Sequence, residues 1–161
     1  MVKRGSGKMH HSHLIEIRAA APEDLPSIIQ LILRDSLSQP PQEGGPSGAQ
    51  RRAFDVIAAH PDNEIIVATL REEVVGTLQI TYIPGLAYQG GWRAQVEAVR
   101  VRENLRNLRI GTSLMEWAIA RARERGCRLV QLTTNRARVD AQRFYERLGF
   151  MPSHVGMKLL L

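Results

Sequence analysis

The stretch Val101–Ala118, VRENLRNLRIGTSLMEWA, passes from an apolar, strand-like run through a short polar turn into a helix. A strand that turns directly into a helix leaves the first backbone N–H groups of that helix without partners, and the helix dipole adds partial positive charge there. The turn ends at Gly111 and collects the arginines Arg100, Arg102, Arg106 and Arg109. The pattern predicts a main-chain anion site at residues 106–111, with an ordinary turn and solvated arginines as the alternative.

Length, charge and aromatic content exclude several classes of protein and partner. The 161 residues suit one domain, and no apolar run is long enough to span a membrane. The net charge of +6 suits a nucleic acid or a small polyanion such as a nucleotide cofactor. Nucleic-acid sites favour stacking aromatics, and only 5% of the residues are aromatic, so we expect no nucleic-acid partner. Because no apolar run is long enough to span a membrane, we expect no membrane partner either.

The N-terminal residues 1–13 are basic and are not followed by an apolar run, so they are predicted to be a disordered leader or a vector-derived remnant, with a single domain at 14–161. His10, His11 and His13 have no acidic or cysteine partner nearby, and we expect no metal site. The sequence has one cysteine, Cys127, which excludes an intrachain disulfide and fits a cytoplasmic protein. Cys127 is interpreted as a small buried residue rather than a nucleophile.

Periodicity and turn residues predict the elements in the order β-α-α-β-β-β-α-β-α-β. A strand at Leu14–Ala19 precedes a helix that begins near Pro22, and a Pro/Gly-rich loop at Ser38–Gly48 precedes a second helix ended by Pro61. Two strands flank a turn at Glu72 and Glu73, and a third strand covers Trp92–Val101. The tight turn requires an antiparallel pair, whereas the later β-α-β crossovers require parallel ones, which predicts an α/β fold with a mixed sheet.

The C-terminal third is predicted to contain two helices and two strands. A helix at Ile110–Arg125 ends before Gly126, and a buried strand follows at Cys127–Asn135. The next helix is capped by Asp140 and ended by Gly149. The segment SHVGMKLLL, residues 153–161, is predicted to close the chain as a strand.

Two segments make the chain resemble the GNAT N-acetyltransferase superfamily. The first is Arg106-Asn-Leu-Arg-Ile-Gly111, similar to the family motif Arg/Gln-x-x-Gly-x-Gly/Ala, with Arg109 where the family usually has its first glycine. The second is LTTNRARVDAQRFYERLGFMPSH, residues 132–154, with a strand-terminal TN and the FYERLGF run. Within the superfamily, the TTN and DAQRFY runs, and a phosphate loop that also lacks the first glycine, resemble bacterial aminoalkylphosphonate N-acetyltransferases.

The resemblance implies a single domain whose mixed, mostly antiparallel central sheet is splayed between its middle strands and flanked by about four helices. It implies acetyl-CoA as co-substrate, with the pyrophosphate on the amides from Leu108 to Thr112 and the pantetheine arm along the strand at 96–101. The amides near Val99 would hold the acetyl carbonyl. The implied coenzyme-binding residues are Val99, Val101, Arg106, Asn107, Leu108, Arg109, Ile110, Gly111, Thr112, Asn135 and Tyr145.

The resemblance also assigns the catalytic groups. Glu97 would accept the amine proton directly or through water, although some members place this glutamate at the position of Gln95; a solvated strand residue is the alternative. Tyr145 would protonate the leaving thiolate, although its place on an apolar helix stripe also suits a core aromatic. We expect the acceptor site to involve Glu97, Tyr82, Trp92 and His154.

The predicted function is transfer of an acetyl group to a primary amine of a small molecule, directly within a ternary complex. One alternative is a protein or peptide amine as acceptor. Another is a coenzyme-binding regulatory module of the GNAT type without turnover, and a basic nucleic-acid-binding domain is the third. The resemblance also suggests a bacterial protein and allows a homodimer.

Overall fold

The computed structural model describes residues 15–34 and 44–161. The N-terminal leader with its histidines, Leu14 and much of the Pro/Gly-rich loop lie outside these residues. The elements in chain order are β1 (Ile15–Ala19), α1 (Leu25–Arg34), α2 (Gly48–Ala59), β2 (Asn63–Leu70), β3 (Glu73–Ile83), β4 (Trp92–Val101), α3 (Ile110–Glu124), β5 (Cys127–Leu132) and α4 (Val139–Arg147).

The sheet has the strand order β1-β2-β3-β4-β5. The first three pairs are antiparallel, and β4 pairs with β5 in parallel, so the predicted mixed, mostly antiparallel sheet is confirmed. The β2–β3 hairpin turns at Arg71 and Glu72, one residue before the predicted turn, with positive φ angles of 50° and 69°. Positive φ at both central residues matches the right-handed twist of the flanking strands.

Each face of the sheet buries its own apolar cluster. On one face α3 packs Leu114, Met115 and Ala118, each fully buried, against β2, β3 and β4. On the other face α1 and α2 contribute Leu25, Ile28 and Phe54. The sheet is therefore a filled layer between helices, and α3 has a fixed position against β4. Within the described ranges, none of the helices is both long and apolar enough to cross a bilayer.

Local sequence signals explain most helix boundaries. Ser47 caps α2 through the Gln50 amide at 3.2 Å, and the Gln50 side chain accepts from the Ser47 amide at 2.7 Å. Gly126 and Gly149 follow α3 and α4 with φ angles of 71° and 90°, as predicted for helix stops. The predicted cap at Asp140 is wrong, because α4 begins one residue earlier and Asp140 lies inside its first turn.

Two predictions for the end of the chain are wrong. The strand predicted at Cys127–Asn135 does begin at Cys127, but its predicted end and its full burial are wrong, because β5 ends at Leu132 and lies at the edge of the sheet with Arg128 and Gln131 exposed. Residues 153–161 form no strand and are exposed throughout. A strand needs a hydrogen-bonded neighbour, and within the described part of the chain this segment has none.

Candidate active site

The parallel pair β4–β5 opens partway along its length. Its register runs from Trp92 opposite Cys127 to Val96 opposite Leu132. Just before the last pair, the Gln131 side chain donates to Gln95 Oε1 at 2.8 Å and ties the two strands together. Beyond Leu132 β5 ends, whereas β4 continues to Val101. Residues 97–101 of β4 therefore present an edge that β5 leaves unpaired. The resemblance implied a splay between the middle strands, and the structure has this opening between β4 and the edge strand β5.

A β-bulge lies in β4 at the start of this opening. Thr77 pairs with Arg100 and Gln79 with Glu97, so that Leu78 alone lies opposite Ala98 and Val99. Ala98 has a φ of 52°, which is costly for a residue with a side chain. The extra residue lets Val99 return to the α3 face, where Val96 is also buried. Glu97 lies on the opposite face and is exposed at the mouth of the opening.

The loop from β4 to α3 ends in a left-handed residue. Arg109 precedes α3 with φ 61° and ψ 8°, and Asn107 has φ 73°. A glycine, which the family usually has at this motif position, would adopt these angles without steric cost, whereas Arg109 adopts them at a cost. The first main-chain bond of α3 runs from Ser113 N–H to the Arg109 carbonyl at 2.9 Å. The amides of Ile110, Gly111 and Thr112 thus have no acceptor within the helix and lie at its positive end.

The arginines of the loop have two different roles. Arg102 is structural, because it donates to Glu73 Oε2 at 2.8 Å and to the Val74 carbonyl at 3.0 Å, which fixes the loop to the β2–β3 hairpin. Arg106 and Arg109 are exposed. The Arg109 guanidinium lies 3.9 Å from Glu116 Oε1, a long and solvent-screened pair. The exposed guanidinium groups add positive charge beside the amides of α3.

Helix α4 brings Tyr145 to the same region. The Tyr145 ring packs edge-to-face against Phe144 and Phe150, with centroids 5.1 Å and 5.9 Å away. Burial raises the pKa of the Tyr145 hydroxyl, while the positive charges of Arg100 and Arg138 partly oppose this shift. Tyr145 is thus both a core aromatic and a hydroxyl that stays protonated at neutral pH.

Asn135 follows β5 and builds the turn into α4. Its side-chain oxygen accepts from the Ala137 amide at 2.9 Å, and its carbonyl accepts from the Arg138 amide at 2.9 Å. These bonds correspond to the turn-forming role of asparagine. The residue is exposed at the end of the opening, where its carboxamide nitrogen remains a donor.

The structure does not bring Tyr82 and Trp92 to the opening. The Tyr82 ring is 2% exposed, its hydroxyl donates to Glu64 Oε1 at 3.0 Å, and the Arg125 guanidinium lies 4.1 Å from the ring centroid. Arg125 is at the C-terminal end of α3, about 22 Å along the helix from the loop. Burial, followed by the bond to Glu64, raises the pKa of Tyr82. Tyr82 therefore belongs to a structural network rather than to an acceptor site.

Trp92 lies at the first position of β4, five residues before Glu97 and about 17 Å along the strand from it. It packs against the α3 cluster and is opposite Cys127. His154 lies on the exposed chain after α4, where its Nδ1 is 2.8 Å from Ser153 Oγ. Of the predicted acceptor residues, Glu97 lies at the mouth of the opening, and Tyr82 and Trp92 lie at the far end of the sheet.

Sequence reasoning counted Arg100 among the arginines of the turn, but it did not connect Arg100, Arg138 or Phe144 with the contacts they make at this site. Phe144 closes over the start of α3, and Arg100 and Arg138 bring positive charge to Tyr145. The arginines come from β4 and from the first residue before α4, elements far apart in sequence. The alternation of β4 gave no signal for Arg100, because the bulge at Ala98 changes which face each later residue occupies.

These features define an α/β domain with an open sheet, a helix start facing the opening and an aromatic hydroxyl beside it. Residues 29–150 match the acetyltransferase (GNAT) family, and the chain belongs to that family.

The chain is also similar to individual members. It is 31% identical over 142 residues to the aminoalkylphosphonate N-acetyltransferase of Salmonella typhimurium, covering 86% of each protein. The crystal structure of a transcriptional regulator from Bacillus halodurans has a TM-score of 0.85 and 44% identity, covering 91% of this chain and 99% of that one. The glucosamine-6-phosphate N-acetyltransferase of Arabidopsis thaliana, at 20% identity, shares the fold with a TM-score of 0.77 over 91% of this chain and 97% of that one.

Proposed function

We propose that the protein is an acetyl-CoA-dependent N-acetyltransferase that acetylates a primary amine of a small molecule within a ternary complex. The observation that carries this proposal is the junction of the opening with the start of α3. The unpaired edge of β4 ends at Val101, whose side chain would lie 3.6 Å from a Cβ atom at Gly111. A ligand that extends along β4 would thus reach the amides of α3 with its anionic end.

The residues at this junction fit the coenzyme. The amides of Ile110, Gly111 and Thr112, with the charges of Arg106 and Arg109, would hold the diphosphate. The Leu108 amide already donates to the Leu105 carbonyl at 3.4 Å, so we assign it a smaller share. The unpaired edge of β4 would bind the pantetheine amides as an added strand, with Asn135 as a further donor. When bound, acetyl-CoA would supply an activated acetyl group as a thioester.

The side chains beside the opening suit proton transfer. Glu97 would take the proton that the amine loses as its nitrogen bonds to the acetyl carbon and the carbon–sulfur bond breaks. The Tyr145 hydroxyl, kept protonated by burial, would donate its proton to the departing sulfur. Gln95 cannot act as a base, and its side chain is bonded to Gln131. Glu97 is therefore the proposed base.

The relatives support a small amine as the acceptor, and an amine panel tests this proposal. The Salmonella relative is named for aminoalkylphosphonates, so these compounds lead a panel that also contains amino acids, amino sugars and peptides with a free amine. Release of free thiol from acetyl-CoA, measured with each compound, should be fastest with a small amine. Faster release with peptides would favour a protein amine as acceptor.

Glu97→Gln tests the base. We expect kcat/KM to fall on the order of 10²-fold, because the amine proton loses its acceptor. Glu124→Gln, an exposed carboxylate at the far end of α3, is the matched control and should behave as the wild type. An unchanged kcat/KM for Glu97→Gln would remove the assignment.

A regulatory module that binds coenzyme without turnover is the second candidate, because the 44% identical structure from Bacillus halodurans is described as a transcriptional regulator. Coenzyme binding without thiol release from any amine of the panel would favour this candidate. Thiol release with one amine, and its loss in Glu97→Gln, would favour the enzyme.

A further inference from the structure

We propose that Arg100 holds its positive charge beside the sulfur of the bound coenzyme and stabilises the thiolate that leaves during acetyl transfer. This role rests on the proposed function, because it concerns the bond that the reaction breaks. The amine nitrogen bonds to the acetyl carbon and gives its proton to Glu97, while the carbon–sulfur bond breaks with its electron pair on sulfur. The sulfur is then an anion until it receives the proton of Tyr145.

The main chain of β4 directs the Val99 carbonyl into the opening. Arg102, just after the strand, donates its amide to the Val75 carbonyl of β3 at 2.8 Å. Successive residues of a strand direct their backbone amides and carbonyls to opposite sides. Val101 and Val99 therefore direct theirs away from β3, toward the side where β5 has already ended.

The Arg100 guanidinium is bound to this carbonyl. Its Nη1 donates to the Val99 carbonyl oxygen at 2.8 Å, and its Nε is buried. The side chain is half-buried, so solvent screens its charge less than the charges of the exposed Arg106 and Arg109. The bond fixes a positive charge at the level of Val99, where the main chain would hold the acetyl carbonyl of the coenzyme.

The Tyr145 hydroxyl gives a separate indication of where this charge lies. Burial raises its pKa, and the charges of Arg100 and then Arg138 lower it. The proposed proton donor and the guanidinium are therefore close together, and the sulfur that receives the proton would lie beside both. Glu97 carries the opposite charge at the exposed mouth, and β5 contributes the neutral Gln131.

The thiol of bound coenzyme A reports this charge without turnover. A positive charge within about 4–6 Å of an ionisable group favours its anionic form and lowers its pKa by about 1–3. Arg100→Met removes the charge and keeps an apolar stem, whereas Arg100→Lys keeps a positive charge that can still donate to the Val99 carbonyl. A role in holding the main chain alone would not change the acidity of the thiol.

The test is the thiol pKa of bound coenzyme A, isotope-labelled at the carbon bonded to sulfur and followed by NMR as the pH is raised. We expect this pKa to be higher in Arg100→Met than in the wild type by about 1, and to return toward the wild-type value in Arg100→Lys. Arg123→Met removes an exposed arginine at the far end of α3 and should leave the thiol pKa at its wild-type value.

Desulfo-coenzyme A, which lacks the sulfur, is the matched ligand. Above the thiol pKa, the affinity of Arg100→Met for coenzyme A relative to desulfo-coenzyme A should be about tenfold lower than that of the wild type. The same thiol pKa in the wild type and Arg100→Met, or an equal rise in Arg100→Lys, would overturn the role of Arg100 and leave the proposed acetyltransferase intact. A wild type that binds no coenzyme A would overturn both.

Discussion

Phe144 of α4 lies against Gly111 of α3, so that its Cζ atom would be 3.4 Å from a Cβ atom at position 111. This is an ordinary van der Waals distance, and packing alone would therefore accept alanine there. The absence of a side chain leaves the main chain of α3 open beside Val101 and the unpaired edge of β4. In this GNAT domain the contact joins the three elements that surround the proposed coenzyme site.

The first prediction separates a functional glycine from a structural one. Gly111→Ala should keep or raise the free energy of unfolding, since alanine is favoured over glycine in a helix by up to about 1 kcal/mol. It should weaken coenzyme binding, because the new methyl group lies where the diphosphate would approach the amides.

Gly76→Ala is the matched control for this substitution. Its Cβ atom would lie 3.0 Å from Leu114 Cδ1 and 3.1 Å from the Arg100 carbonyl, so we expect a loss of about 1–3 kcal/mol in stability. Chemical unfolding and coenzyme titration of both variants provide the measurement. Tighter or unchanged coenzyme binding by Gly111→Ala would contradict the proposed site.

The second prediction concerns the left-handed Arg109. Arg109→Gly should stabilise the fold by about 0.5–1 kcal/mol, because glycine adopts φ 61° without steric cost. Removing the guanidinium should also reduce the affinity for coenzyme and its dependence on salt.

Arg109→Ala separates these two effects, since alanine removes the charge and keeps the strained backbone. We expect it to lose the same affinity without the gain in stability, as measured by thermal unfolding and by binding at two salt concentrations. Equal stability of the glycine and alanine variants would show that the backbone at Arg109 is not strained.

The third prediction tests Tyr145 as the proton donor. Tyr145→Phe keeps the edge-to-face packing with Phe144 and Phe150, so coenzyme affinity and stability should stay near wild-type values. Turnover should fall on the order of 10²-fold, because the departing thiolate loses its donor.

The pH dependence gives a second measurement of this role. Burial raises the pKa of Tyr145 above the ordinary value of 10.0, so the hydroxyl remains protonated through the neutral range. Any fall in the wild-type rate that Tyr145 causes should therefore have its midpoint above pH 10.0 and be absent in Tyr145→Phe. Wild-type turnover in the phenylalanine variant would remove the assignment.

The fourth prediction concerns acid stability. Arg18 donates to Asp24 at 2.6 Å and 3.0 Å, and the Ala21 amide donates at 2.8 Å. The bond from Arg18 lowers the pKa of Asp24 below 3.8, against the effect of burial. A lowered folded-state pKa stabilises the fold above the unfolded-state pKa, and this contribution is lost as the pH falls through the folded-state value.

Asp24→Asn should therefore reduce the stability at pH 7 by about 1–2 kcal/mol, an amount limited by the partial exposure of Arg18. The difference from the wild type should shrink as the pH falls below 3.8. Asp140→Asn, an exposed carboxylate, is the control for the effect of net charge. A difference that grows toward low pH would contradict the role of Asp24.

Local signals explain which parts of the fold the sequence predicts. Contacts within a few residues specify the helices, through apolar spacing, through Ser47 and through the glycines after α3 and α4. The helix boundaries predicted from these signals agree with the structure to within about two residues. The α3 loop was recognisable because the proposed anion site consists of the main chain of a single segment. Glu97 and Tyr145 came from the family resemblance and remain proposals.

Long-range packing decides the features that the sequence did not predict. Tyr82 and Trp92 flank a glycine-rich loop, which suggested an acceptor site, yet pairing with β2 and with β5 commits them to the far end of the sheet. The bulge at Ala98 has no glycine to mark it. Residues 153–161 have a strand pattern, but within the described residues they pair with no neighbouring strand.

The central claim is that the start of α3 holds the diphosphate of the coenzyme while the unpaired edge of β4 holds its arm. The most direct measurement is a titration with coenzyme A followed through the backbone amide resonances. The largest shifts should occur at Ile110, Gly111, Thr112 and residues 97–101, and pantetheine, which lacks the diphosphate, should shift residues 97–101 and leave the α3 amides unchanged. Shifts centred elsewhere, or no binding of coenzyme A, would contradict the claim.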